Sequence, residues 1–171
     1  HVRSRRQRQM CIRDSSPRGF DAIANIVFHG TFYVTHSVGR RWIEAGLKGN
    51  IISILATWVW TGSPYVVPSA MSKSAINAMT KSLAVEWGPY NIRVNAIAPG
   101  PFPTEGAWAR LSPKGDLDND SSYSAIPLGR VGEMSELQNL ASFLMADGCD
   151  YLTGQTIAID GAQYITCLLY T

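Results

Sequence analysis

Little of this 171-residue sequence is charged: Asp, Glu, Lys and Arg make up 16% of it, against 46% hydrophobic residues. Nor is there any apolar run of the roughly 18 to 20 residues that would span a bilayer. The first residues hold no apolar h-region, so a secretory signal is not expected and cytoplasm is the default compartment. Internal repeats and low-complexity linkers are also missing. What is left is the composition of one globular domain, long enough to bury a core of its own.

The formal net charge of +2 hides an asymmetry. Residues 1–15, "HVRSRRQRQMCIRDS", hold five arginines and one aspartate, a net of +4, which leaves the rest at 2 − 4 = −2. A basic arm can signal nucleic-acid or membrane binding, but neither partner is expected here. "QMCIRDS" can be encoded with the string TGTGTATAAGAGACA, and the C-terminal "CLLYT" with its reverse complement. Inverted matching ends resemble transposase adaptors on a sequencing fragment. Residues 1–15 and 167–171 are therefore read as probable adaptor translation, with a solvated basic tail as the alternative, and residues 16–166 as the protein proper, short of its front. Excluding both ends removes Cys11 and Cys167 and leaves Cys149, which can build neither a disulfide framework nor a metal site.

Periodicity organises 16–166. Phe20, Ile23, Ile26, Val27, Thr31, Val34 and Val38 recur at helical spacing, after Ser16-Pro17, which suits an N-cap followed by a first-turn proline. Gly46 suits the stop. "NIISILAT" (50–57) is a nearly continuous apolar run, as expected of a buried parallel strand. "WVWTGSPYVVP" (58–68) reads as loop, 69–87 as a helix ended by Gly88-Pro89, and "IRVNAIAPG" (92–100) as a strand closed by a breaker. Residues 101–127 read as a long irregular or short-helical insertion, a length usually functional or disordered. An amphipathic helix is expected over 132–148, with Leu137, Leu140, Ala141, Leu144 and Met145 inward, and a last strand over 154–162. Strands alternating with helices imply parallel βαβ units with right-handed crossovers. Ligands bind such sheets outside the carboxyl ends of the strands, here near Ala56-Thr57-Trp58, Ala98-Pro99-Gly100 and Asp160-Gly161.

"PSAMSKSAINAMTKSLAVEWGPYNIRVNAIAPGPFPTEGAW" and "PLGRVGEMSELQNLASFLMADGCDYLTGQTIAIDGA" resemble the short-chain dehydrogenase/reductases over nearly all of 16–162. "APGPFPTEGAWARL" and "TGSPYVVPSAMSK" look most like the 2,4-dienoyl-CoA reductase branch. The resemblance implies an α/β fold, a Rossmann-type doubly wound parallel sheet. Here it is truncated at the N-terminus, since the first strands and the glycine-rich motif are missing; no GxxxGxG occurs in the sequence. It also implies an NAD(P) cofactor, NADP(H) ahead of NAD(H), an acyl-CoA-type substrate in fatty acid metabolism, and a homo-oligomer paired through the first helix and 69–87.

Residue by residue, the resemblance gives Lys73 the nicotinamide ribose and a pKa-lowering influence on a neighbouring acid. The residue four before it, a tyrosine in most of the family, is Ser69, which shares its helical face. A serine hydroxyl is a far weaker acid than a phenol of pKa near 10. Two roles stay open for it: a hydrogen bond to substrate, or help in capping the helix. The helper serine falls at Ala56 and the helper asparagine at Val27. The dienoyl-CoA reductase branch lacks these groups too and uses a tyrosine in the loop after the strand, together with an upstream asparagine. That tyrosine aligns with Trp58; the asparagine would fall within the adaptor-like segment. An indole N–H donates a hydrogen bond but is no practical acid, so Trp58 either supports an enolate oxygen or, with Trp60, merely lines an apolar pocket. Tyr65 is the nearest phenol. Pro99, Gly100, Pro101 and Thr104 lie where the family cradles the nicotinamide, and Trp108 and Leu111 where a substrate lid would begin. His29 and His36 receive no metal or base role.

Three functions compete on this sequence. The first is an NAD(P)H-dependent reductase of an enoyl- or dienoyl-CoA thioester. The second is a carbonyl or alcohol oxidoreductase such as a 3-oxoacyl reductase, against which Ser69 counts. The third is a non-catalytic relative serving as a binding or assembly subunit.

Overall fold

A computed structural model of the chain describes residues 16–64, 66–104 and 126–166. Ser16 opens the first helix as expected: its Oγ accepts the Gly19 N–H at 3.1 Å, and Pro17 takes the first helical position. The helix runs as α1 (Pro17–Ala24), widens into a π turn (Asn25–His29), and continues as α2 (Gly30–Ala45). Gly46 ends it at φ 64°, the left-handed conformation that glycine adopts without steric cost. The periodic pattern gave the helix but not the π turn, and it overcounted the inner face. Ile26 and Val34 are 77% and 65% exposed, whereas Val27 and Ile43 pack inward with Trp42.

Next come β1 (Gly49–Ile54), the short α3 (Trp58–Thr61), α4 (Val67–Trp87), β2 (Ile92–Pro99), α5 (Met134–Met145) and β3 (Thr156–Ile159). The 58–68 loop expectation is thus corrected: its first four residues form a helical turn, and α4 begins two residues earlier than expected. The last strand is shorter than the apolar run suggested. Met145, expected inward, is 66% exposed because it closes the last turn of α5, while Leu144 beside it is fully buried. The 101–127 expectation falls mostly outside the described residues.

The sheet is parallel, in the order β1-β2-β3, with Ile54 opposite Ile97 and Pro99 opposite Ile159. Central β2 is buried along its length up to Pro99. Helix α4 covers one face through two clusters. Ile76 packs with Leu55, Ala96 and Ala98, and Ala84 and Trp87 pack with Ile92 and Val94. Polar side chains fasten the remaining elements to β2. Arg93, 9% exposed, donates to the carbonyls of Leu144 (2.9 Å), Ala146 (3.4 Å) and Leu152 (3.3 Å), so its cation closes the C-terminal end of α5. Asn95, wholly buried, donates to Leu152 O at 2.8 Å and accepts the Gln155 N–H at 3.0 Å. All three strands therefore deliver their carboxyl ends to one edge.

Candidate active site

That edge gathers most of the residues picked out from the sequence. Lys73 sits in the second turn of α4 and reaches back across the sheet end, where its ammonium donates to the Ile54 carbonyl. Burial pushes its pKa below the usual lysine value. One acceptor leaves an ammonium with further N–H groups to offer. Ser69 is partly buried on the same face. Its capping role is corrected: the helix starts at Val67, its N-cap is Val66, and no side chain caps it. The Ser69 hydroxyl makes no hydrogen bond among the described residues.

Trp58 leaves β1 at the same place. The Thr57 N–H donates to Pro99 O at 3.3 Å, setting residue 58 beside the Pro99-Gly100 end of β2. The turn closes with the Gly62 N–H on Trp58 O at 2.9 Å. Its outer residue, Trp60, stacks obliquely on Tyr164 with ring centroids 4.9 Å apart, so α3 leans on the segment that follows β3. The Trp58 indole N–H is buried and has no hydrogen-bond partner among the described residues.

The two helper positions are apolar in space as well as in sequence. Ala56 is buried at 6% exposure. Val27, inside the π turn, packs against the cluster of Leu55, Ile76, Ala96 and Ala98. Neither contributes a polar group. Tyr65, Trp108 and Leu111 lie outside the described residues.

On the other side of β2 the strand ends are pressed together. A Cβ built on Gly100 would fall 2.5 Å from Asp160 Cβ and 2.8 Å from its Cα, so this glycine is required by close approach of the two backbones. Pro101 O accepts the Gly132 N–H at 3.0 Å, and the Phe102 ring lies where a Gly132 side chain would be. The Asp160 carboxylate accepts the N–H groups of Ala162 (3.0 Å) and Tyr164 (2.7 Å), which makes it a turn-holding residue. Thr104 is exposed on the outgoing loop.

A small cleft lies between Pro101, Phe102, Leu128, Arg130 and Asp160. Of the residues picked out for chemistry it includes Pro101 but not Lys73, Ser69 or Trp58. Two of its charges are paired: Arg130 grips Glu136 through two bonds of 2.8 and 2.7 Å. Glu136 also accepts the Glu133 N–H at 2.8 Å in a capping box at the start of α5. This pair was missed in the sequence, although Glu133 and Glu136 stand at capping-box spacing. The Arg130 hydrogen bond, with help from the Glu133 N–H, holds the Glu136 carboxyl at about 2. A depressed carboxylate stabilises the fold above its ordinary range and loses that contribution as pH falls through its folded value. The thermal midpoint of Glu136→Gln is therefore expected below wild type above about pH 5, with the gap closing toward pH 2. A gap that stayed constant down to that pH would remove the ion pair as its cause. The effect is small, because both side chains are solvated.

His29 stacks on Tyr33 with Phe28 tilted against it, and His36 stacks on Phe32. No group of three or more His, Cys, Asp or Glu able to hold a metal occurs among the described residues. No described helix is long and apolar enough to cross a membrane.

A parallel sheet with crossover helices between its strands is a Rossmann-type α/β arrangement, and Lys73 is brought to its carboxyl edge. Comparison with known proteins makes this specific. A family model described as enoyl-(acyl carrier protein) reductase matches residues 4–162. A Caenorhabditis elegans protein named a probable 2,4-dienoyl-CoA reductase is 43% identical over 150 residues, covering 86% of this chain and 48% of its own. A Bacillus subtilis protein named likewise, as producing the (2E)-enoyl-CoA, is 38% identical and covers 88% and 59%. Among solved structures, a Bacillus anthracis short-chain dehydrogenase is 40% identical with a TM-score of 0.81, covering 95% of this chain and 61% of its own. A Burkholderia cenocepacia gluconate 5-dehydrogenase in complex with NADP and tartrate is 30% identical with a TM-score of 0.85, covering 94% and 62%. A 4-hydroxyisoleucine dehydrogenase complexed with NADH is 26% identical with a TM-score of 0.85, covering 94% and 65%. The chain belongs to the short-chain dehydrogenase/reductase family. It spans about half the length of the curated relatives it matches.

The residues present fit one end of a dinucleotide. The Lys73 ammonium is partly desolvated, has one acceptor among the described residues, the carbonyl of Ile54 at the end of β1, and could offer its other N–H groups to a ribose diol. The sequence has no GxxxGxG.

Proposed function

We propose that residues 16–166 are the C-terminal part of a longer NAD(P)H-dependent reductase acting on an enoyl- or dienoyl-CoA thioester, with residues 1–15 and 167–171 foreign to it. NADP(H) is proposed ahead of NAD(H). When bound, the nicotinamide supplies a hydride. Lys73 holds its ribose, and the Pro99–Pro101 turn and Thr104 hold the carboxamide end. Ser69 and Trp58 line the substrate side.

One observation carries this reading. Lys73, the lysine the reading gives to the cofactor, stands at the sheet edge, while Ser69, Ala56 and Val27 supply no group acidic enough to protonate an alkoxide. Reduction at carbon in a conjugated thioester needs no such acid, only stabilisation of an enolate oxygen. The acyl-CoA substrate places the protein in fatty acid metabolism, with cytoplasm as the proposed compartment although some relatives are named peroxisomal. Self-association is proposed through the first helix and α4: Ile26 in the π turn, Tyr33 and Val34 in α2 and Val85 in α4 are exposed.

The test uses the complete protein, with its upstream half recovered from the source gene. NADPH consumption is followed with a dienoyl-CoA and with a 3-oxoacyl thioester. Oxidation with the dienoyl-CoA alone is expected. Oxidation with the 3-oxoacyl thioester would favour a carbonyl reductase, and cofactor binding with neither reaction would favour a binding subunit.

A further inference from the structure

We infer that Phe102 is a positioning residue for the cofactor: its ring, seated in a notch at Gly132, locks the Pro99–Pro101 turn to the start of α5. This role rests on the reading above that the turn holds the carboxamide end of the nicotinamide. Two observations define the notch. A Cβ built on Gly132 would fall 2.4 Å from two ring carbons of Phe102 and 2.8 Å from a third. The Gly132 N–H also donates to the carbonyl of Pro101, the residue just before Phe102, at 3.0 Å. The φ of Gly132 is not positive, so the glycine serves space here and not backbone conformation.

The wall behind the ring is fixed independently of it. The returning chain is pinned at Ile126, 3% exposed, whose Cγ2 lies 2.7 Å from where a Gly161 Cβ would be. The Gly129 N–H turns back onto the Ile126 carbonyl at 2.7 Å. Arg130 and the Glu133 N–H share the Glu136 carboxylate, which ties 130–133 to the first turn of α5. On the outgoing side, the Gly100 N–H donates to Ile159 O at 3.0 Å. Beyond it, the Pro101 carbonyl and the Phe102 ring join the turn to the α5 side. Pro101 and Pro103 flank Phe102. Each has a fixed φ, and a residue before proline is confined to extended backbone. A shift at Phe102 is therefore passed along the chain to the turn and not absorbed between them.

The ring also has somewhere to go. A cleft of about 70 Å³ opens between Phe102, Leu128, Arg130 and Asp160. A methyl on Gly132 would push the tip of the ring toward it. Gly132→Ala is therefore expected to fold, with the turn short of one contact. Gly100 differs, because its obstacle is the Asp160 backbone. What the notch serves is alignment. Lys73 on the ribose leaves the nicotinamide free to turn about its bond to the sugar. Holding the carboxamide removes that rotation. Hydride transfer depends on it, since about 1 Å of misplacement costs on the order of 100-fold in rate.

Two ligands of the complete protein separate positioning from folding: NADPH, and 2′-phospho-ADP-ribose, which lacks the nicotinamide. Gly132→Ala and Phe102→Ala are each expected to weaken NADPH roughly tenfold, the scale of one lost hydrogen bond. Calorimetric titration should find the nicotinamide-free ligand bound as in wild type. Turnover at saturating NADPH should fall further, by about 100-fold. The double variant shows whether the two residues act as one. With the ring gone, the three nearest obstacles to the new methyl are gone as well. Phe102→Ala/Gly132→Ala should therefore bind NADPH as Phe102→Ala does. Losses that multiply would make the two residues independent and overturn the inference. So would an unchanged NADPH affinity in both single variants, or equal weakening of both ligands, the mark of a merely structural contact. A wild type that binds the nicotinamide-free ligand as tightly as NADPH would overturn the reading of the turn itself, and the role of Phe102 with it.

Discussion

Lys73→Ala is expected to weaken NADPH binding by roughly tenfold to a hundredfold, the loss that accompanies a charge-assisted hydrogen bond of about 1.5–3 kcal/mol. Turnover should fall with it. The reasoning starts from the helix. Lys73 lies far enough into α4 that its side chain must fold back over Ile54 to reach the sheet end, and it does so at the expense of hydration. The lowered pKa fixes the sign of a second effect. Between the folded and unfolded values the unfolded chain binds more protons, so wild-type stability rises with pH across that interval. Lys73→Met should therefore be at least as stable as wild type near neutral pH, its advantage shrinking as pH climbs toward the ordinary lysine value. A variant that keeps its stability and loses its cofactor would mark Lys73 as a binding residue. Calorimetric titration with NADPH decides the matter: an unchanged dissociation constant would remove Lys73 from the cofactor site.

Gly100→Ala should be the most damaging single methyl in the strand-end region. Its new Cβ would meet both Cα and Cβ of Asp160, within 2.8 Å. The obstacle is backbone, which cannot rotate aside like a side-chain tip. Overpacking of this kind costs about 1–3 kcal/mol. The displacement would pass to the Asp160 carboxylate and the turn it holds, so NADPH binding should weaken along with stability. Gly88→Ala provides the contrast, because nothing lies within 4 Å of its built Cβ and its φ of −52° suits alanine; a change within about 0.5 kcal/mol is expected. Urea unfolding of the two variants checks the pair. A Gly100→Ala loss no larger than that of Gly88→Ala would mean the strands part without cost.

Much of this architecture could be read in advance because it rests on periodicity. β2 is a continuous apolar run and is buried along nearly its whole length. Ser16, Pro17 and Gly46 bound their helix through local chemistry that needs no tertiary context. Where tertiary contacts decide, the reading was less complete. "WVWT" holds aromatic and β-branched residues with no helical signature, and becomes a helical turn because it packs on α4 and against Tyr164. Ile26 and Val34 fit the helical stripe but face outward, since the π turn rotates one half of the helix relative to the other. The family resemblance located Lys73, Ser69 and Trp58. That the indole N–H is orphaned, and that Ser69 is not spent on capping, emerges only when neighbours are in place.

Asn95 has a further consequence for this edge. β3 is four residues long and partly buried throughout, so a slide of one position would meet little resistance from hydrophobic alternation. The Asn95 amide gives to Leu152 O and takes from the Gln155 N–H, the two-way exchange that a neighbouring backbone would make. A slide would orphan both ends of that exchange in the dry interior at once. A side chain thus acts as a vernier for the last strand, and the fit of Gly100 against Asp160 is set from the far end of the ladder.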